Sequence, residues 1–171
     1  MTASLTATAL ELALGQLGVR ERGGANRGPQ VDEYLRSVGL EPGQPWCAAF
    51  VYWCFAAAAR SRGFVNPVPK TGSTLRLWML SEPVCRDSNP RPGLVYVLDH
   101  GGGQGHAGIV TGVTGDGGMT EVSGNTFDDH GGREGNAVAM HMGTPEVTHG
   151  GTLLGYLDFD KAAQPPPGVA A

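Results

Sequence analysis

The 171-residue chain has no run of 18 or more consecutive apolar residues, so no segment is expected to cross a bilayer as a helix. Nor does it open on a basic stretch followed by an unbroken apolar core, which argues against a Sec-type leader. Positive charge is scarce: 12 Lys and Arg stand against 16 Asp and Glu, for a formal charge of -4. The basic residues form no cluster, and a nucleic-acid partner would require one to displace counterions. Only three cysteines occur, Cys47, Cys54 and Cys85. They are odd in number and lack zinc-finger spacing, so neither a disulfide framework nor a structural zinc site is expected, and at least one thiol is free. Charged residues of both signs make up 16% of the chain, against about 25% in an ordinary domain. Gly, Pro, Ser, Thr and Asn must therefore furnish much of the surface.

Apolar content is ordinary at 40%, enough for one core in a chain of one-domain length. Ala3, Ala7, Leu10, Leu14 and Leu17 recur at steps of four and three, which predicts an amphipathic helix over residues 2–17. Val31, Tyr34, Leu35 and Val38 predict a second over 30–38. The run WCAAFVYWCFAAAAR at 46–60 is too long for a buried strand and rich in alanine, and is read as a buried helix. A short helix is expected over 73–80. Beyond Gly93 the pattern changes. Segments 94–98, 107–113, 119–123, 137–142 and 153–159 alternate with turns that hold most of the 28 glycines, and read as strands. Helices followed by strands predict an α+β fold with an antiparallel sheet. One domain is expected over 1–161, followed by a disordered Pro-rich tail at 162–171.

Cys47 is the chemically conspicuous residue. It follows Pro45 and Trp46 at the expected start of the alanine-rich helix, where unpaired N–H groups and the helix dipole favour a thiolate. Cys54, two turns deeper, reads as core packing, and Cys85 as incidental. A partner base is offered by His106 in the segment GHAGIV, where a histidine flanked by Gly105 and Ala107 opens a strand. Its imidazole, neutral near pH 7, can accept a thiol proton. His100, His130, His141 and His149 read as solvated histidines without a catalytic part. A third group should orient the imidazole. Asn125 is the first choice, through its amide oxygen, and Glu121 the second, since Glu121, Ser123 and Asn125 alternate along the next strand. Trp46 is expected to line a cleft, and Trp53 to lie in the core.

Three segments together resemble the CHAP family of cysteine- and histidine-dependent amidohydrolases and peptidases: Pro45-Trp46-Cys47-Ala48-Ala49-Phe50-Val51, Gly105-His106-Ala107-Gly108-Ile109-Val110 and Val122-Ser123-Gly124-Asn125-Thr126. The loop of residues 21–28 is similar to the segment that precedes the cysteine helix in that family. The resemblance spans roughly residues 8 to 160 and implies a papain-like α+β fold related to the NlpC-type wall hydrolases. Many members carry Glu two residues before the asparagine, whereas this chain has Ser123, so the orienting role falls to Asn125 or to Glu121. Calcium-binding members have an acidic cluster just before the cysteine; Leu40-Glu41-Pro42-Gly43-Gln44 lacks one, and no metal or other cofactor is expected.

The resemblance implies a peptidoglycan hydrolase, an amidase or endopeptidase acting on cell-wall peptide stems in the periplasm or at the wall. Export without a leader would suit an injected type VI antibacterial toxin with a cognate immunity protein, or a phage endolysin released by lysis. A monomer that binds neither nucleic acid nor membrane is expected. Two alternatives stand beside this: a papain-like deamidase or acyltransferase acting on another amide, and a binding module whose site is inert. Metal binding by Cys47, Cys54 and His106 is a third.

Overall fold

In the computed structural model, residues 4–115, 118–128 and 135–164 are described. Four helices come first: α1 (Leu5–Leu14), α2 (Pro29–Ser37), α3 (Cys47–Arg62) and α4 (Thr74–Leu80). Six strands follow, β1 (Arg86–Asp87), β2 (Val95–Gly101), β3 (Gln104–Val113), β4 (Met119–Thr126), β5 (Ala137–Met142) and β6 (Thr152–Leu157), with a short α5 (Pro145–His149) between the last two. They form one sheet in the order β1-β6-β2-β3-β4-β5, and all its pairings are antiparallel. The α+β expectation therefore holds, with helices packed on an antiparallel sheet. The two-residue β1 and the helix α5 were not expected.

Helix α3 occupies the centre because its sequence is apolar on every side. Cys47, Ala48, Ala49, Phe50, Val51, Cys54, Phe55, Ala58 and Ala59 are all buried, between α1 and α2 on one side and the sheet on the other. A helix apolar all round has to be enclosed. Helix α1 is present but turned from the expected stripe: Leu5, Ala9 and Ala13 are buried, whereas Leu17 is 43% exposed. Two contacts account for the turn. The small Ala9 and Ala13 permit close approach to α3, and Thr6 bonds Asp160 through its backbone N–H at 3.1 Å and its hydroxyl at 2.5 Å.

Alternation along the strands divides the sheet into two unlike faces. Val95, Val97, Ala107, Ile109, Val122 and Leu157 join the core under the helices. Leu94, Tyr96, Leu98, Val110, Met119 and Tyr156 form a second, smaller cluster. Phe159, expected in the last strand, lies instead in a 3-10 turn and packs edge-on against Phe55 with ring centroids 5.2 Å apart. Of the expected tail, residues 162–164 are described, and Gln164 pairs with Val65; residues 165–171 lie outside the described residues.

Candidate active site

The loop before α3 fixes the position of Cys47. Asn125 accepts the backbone N–H of Trp46 on Oδ1 at 3.0 Å, and Glu21 accepts the indole N–H of the same residue on Oε1 at 2.9 Å. Both acceptors are themselves held. Asn125 donates from Nδ2 to the Gly135 carbonyl at 2.7 Å and to Asn26 Oδ1 at 3.3 Å, and the other Glu21 oxygen accepts the Asn26 N–H at 2.8 Å. Trp46 is wholly buried and stacks on Tyr34 with centroids 5.6 Å apart. This corrects its expected place as a cleft-lining residue: the indole is a peg that anchors the start of α3 and offers no surface to a ligand. Strand β4 approaches that peg closely because residue 124 is glycine; a Cβ there would stand 2.6 Å from the Trp46 ring and 2.8 Å from Phe50.

Cys47 is the first residue of α3 and is 6% exposed. Its sulfur lies 3.5 Å from the Thr74 hydroxyl at the start of α4 and 4.0 Å from the Gly105 carbonyl at the start of β3. Burial pushes the thiol pKa up, while the Thr74 hydroxyl and the backbone N–H groups of Ala48, Ala107 and Cys47 pull it back. The helix terminus therefore acts in the expected direction, but desolvation outweighs it. Two hollows meet at this sulfur, of about 560 Å3 and about 570 Å3. Pro45, Cys47, His100, Gln104 and Gly105 line both; Thr74 and Gln44 belong to the first, His106 and Asn125 to the second. Cys54 and Cys85 are buried elsewhere, and burial raises the pKa of each.

His106 stands near the start of β3 and is 7% exposed. Its Nε2 is buried without a hydrogen-bond partner among the described residues. Burial, first, and then His149, His100 and His141 hold its pKa well below the ordinary histidine value, so the ring is neutral at pH 7. Neither expected orienting residue is hydrogen-bonded to it. Asn125 is committed to Trp46, Asn26 and Gly135. Glu121, fully buried, accepts the Tyr96 hydroxyl at 3.0 Å, pairs with His149 Nε2 at 2.9 Å and lies 3.5 Å from the Ser123 hydroxyl. Gly108 makes room for this carboxylate, since a Cβ would fall 2.8 Å from Glu121 Oε2 and 2.7 Å from the Tyr96 oxygen.

His149 was expected in solvent, yet its side chain is 6% exposed and its ring centroid lies 4.4 Å from that of His106. His141, expected there too, faces Glu121 across the β4–β5 pairing and bonds Thr126 Oγ1 at 3.1 Å. His130 is outside the described residues. His141 could be placed on a strand from the sequence, but its position opposite the buried Glu121 comes from the β4–β5 register. His149 had no such signal: it reaches the sheet from α5, a helix of five residues. Thr74 was missed as well, for its approach to Cys47 depends on how α4 packs.

The CHAP domain family model matches residues 39–125, just over half of the chain, and the match takes in the start of α3, the start of β3 and strand β4 as far as Asn125. Neither a curated protein nor a solved structure matches the chain.

Proposed function

The chain belongs to the CHAP family of papain-like cysteine- and histidine-dependent amidohydrolases and peptidases, and from that premise we propose that it hydrolyses an amide bond in the peptide part of bacterial peptidoglycan, with Cys47 as nucleophile and His106 as base. The observation that carries this reading is the shared hollow: a thiol in the first turn of α3 and a neutral imidazole at the start of β3 line one concave surface.

The chemistry follows from the protonation states. A buried thiol with a raised pKa and an imidazole with a lowered one form a neutral pair, so the proton moves as the sulfur attacks. His106 takes the thiol proton while Sγ bonds to the carbonyl carbon. The oxyanion is met by the backbone N–H of Cys47 at the helix N-terminus. Collapse breaks the C–N bond, and the imidazolium protonates the leaving amine. Water, deprotonated by His106, then cleaves the thioester and restores the thiol. The two hollows on either side of the sulfur suit the two sides of a scissile amide. Asn125 and Glu21 serve as positioning residues, since they hold Trp46 and through it the main chain that carries Cys47.

The test is incubation of the chain with purified sacculi. Soluble muropeptides and new amino groups are expected, with none above background for Cys47→Ala; mass spectrometry of the fragments assigns the bond. Equal release by the wild type and Cys47→Ala would refute the proposal.

A further inference from the structure

Behind His106, on the sheet face away from α3, lies a cluster with no place in the reaction above. Glu121 on β4, His141 on β5 and His149 at the end of α5 bring one carboxylate oxygen and two imidazole nitrogens within 4.8 Å of one another. We propose that these three residues form a binding site for a divalent transition metal of the zinc type.

The donor set is two imidazoles and one carboxylate, a combination that suits zinc and leaves a further coordination position for water. Ligand atoms on a tetrahedral zinc stand about 3.3 Å apart, given bonds of about 2.0–2.1 Å. The longest separation must therefore close by at most roughly 1.5 Å, which rotation of side chains supplies. Two of the ligands stand on paired strands, Glu121 being registered opposite His141, so the backbone under them is rigid. An outer hydrogen bond is already in place. Tyr96 donates to Glu121 Oε2 at 3.0 Å, which leaves Oε1 toward the histidines. Such partners fix the orientation and basicity of metal ligands.

Two further observations point to a cation. Glu121 is 0% exposed, and among the described residues its one ion-pair partner is His149. A carboxylate so enclosed needs a positive charge. The rings of His106, His149 and His141 lie in series beside it, at centroid separations of 4.4 Å and 5.2 Å. One divalent ion would satisfy the carboxylate and two imidazoles together. The second observation is His106 Nε2, buried without a partner on a ring adjacent to His149. A water on the metal would give this nitrogen the hydrogen-bond partner that it lacks. The expectation of a metal-free chain came from the missing calcium cluster before Cys47, a different place and a different donor chemistry.

The full chain, stripped with a chelator and desalted, is titrated with zinc chloride at pH 7.5 against a chromophoric competitor, and metal is counted by elemental analysis. One zinc per chain is expected, with affinity at least about tenfold weaker in both His141→Ala and His149→Ala and one zinc retained in Cys47→Ala. No stoichiometric zinc, wild-type affinity in either histidine variant, or loss of zinc in Cys47→Ala would each overturn the proposal. Should the histidine variants not fold, cobalt substitution of the wild type decides. Ligand-field bands without a thiolate charge-transfer band support the site, and a thiolate band refutes it. None of these readouts involves turnover, so a failed wall-hydrolase assay and a failed metal site are told apart.

Discussion

The two halves of the site are mounted in opposite ways. Around Cys47 the supporting hydrogen bonds are complete. Asn125 and Glu21 clamp Trp46, Asn26 and Gly135 brace the clamps, and Thr74 faces the sulfur. Around His106 they are not: Nε2 has no partner among the described residues, and the Glu121 carboxylate is spent on Tyr96 and His149. Loop and strand contacts hold Cys47, whereas packing against other rings holds His106. Glu121, one alternation before Ser123 on β4, meets His149 rather than His106.

The largest contrast concerns protonation. With the thiol pKa raised by burial and that of His106 lowered, alkylation of Cys47 by iodoacetamide should rise about tenfold per pH unit from pH 6 to pH 9, because only the thiolate reacts. A rate that levels off below pH 7 would show a preformed thiolate–imidazolium pair. By the same signs, lowering the pH protonates His106 and removes the base, so the acid limb of kcat/KM should lie below pH 6.5.

A smaller effect separates the two mountings by stability. Glu121→Ala strips His149, Tyr96 and Ser123 of a shared buried acceptor and should cost about 3 kcal/mol in chemical denaturation. Zinc present during unfolding should stabilise the wild type more than this variant. A loss below about 1 kcal/mol would mean that the carboxylate is incidental to the histidine cluster.

Asn125→Ala should cost less, about 1–2 kcal/mol, for one buried backbone donor left without its acceptor. Its distinguishing mark is kinetic: kcat should fall while the pH profile keeps its shape, since the amide positions the α3 start and does not touch His106. A shifted acid limb in Asn125→Ala would instead assign the asparagine to the imidazole.

Much of this was legible in the chain. Cys47 behind Pro45 and Trp46, His106 between two small residues, and the change from helical runs to glycine-punctuated strands all follow from local rules, which short-range sterics and hydrogen bonding enforce. The helices α2, α3 and α4 begin and end within two residues of their expected limits. Harder to read were features set by contacts distant in sequence. The face of α1 is turned by Asp160, more than 150 residues away. Trp46 is buried by Tyr34 and Glu21 instead of lining a cleft. The partnership of Glu121 with His149 depends on α5, which no periodicity announced.

The element types and the candidacy of Cys47 and His106 could be read from the chain alone, because side-chain periodicity and helix-terminus chemistry are properties of neighbouring residues. Which groups surround that pair, and that burial rather than the helix dipole governs the thiol, follow from tertiary packing. Desolvation is a property of everything packed around an atom, and no stretch of sequence contains it.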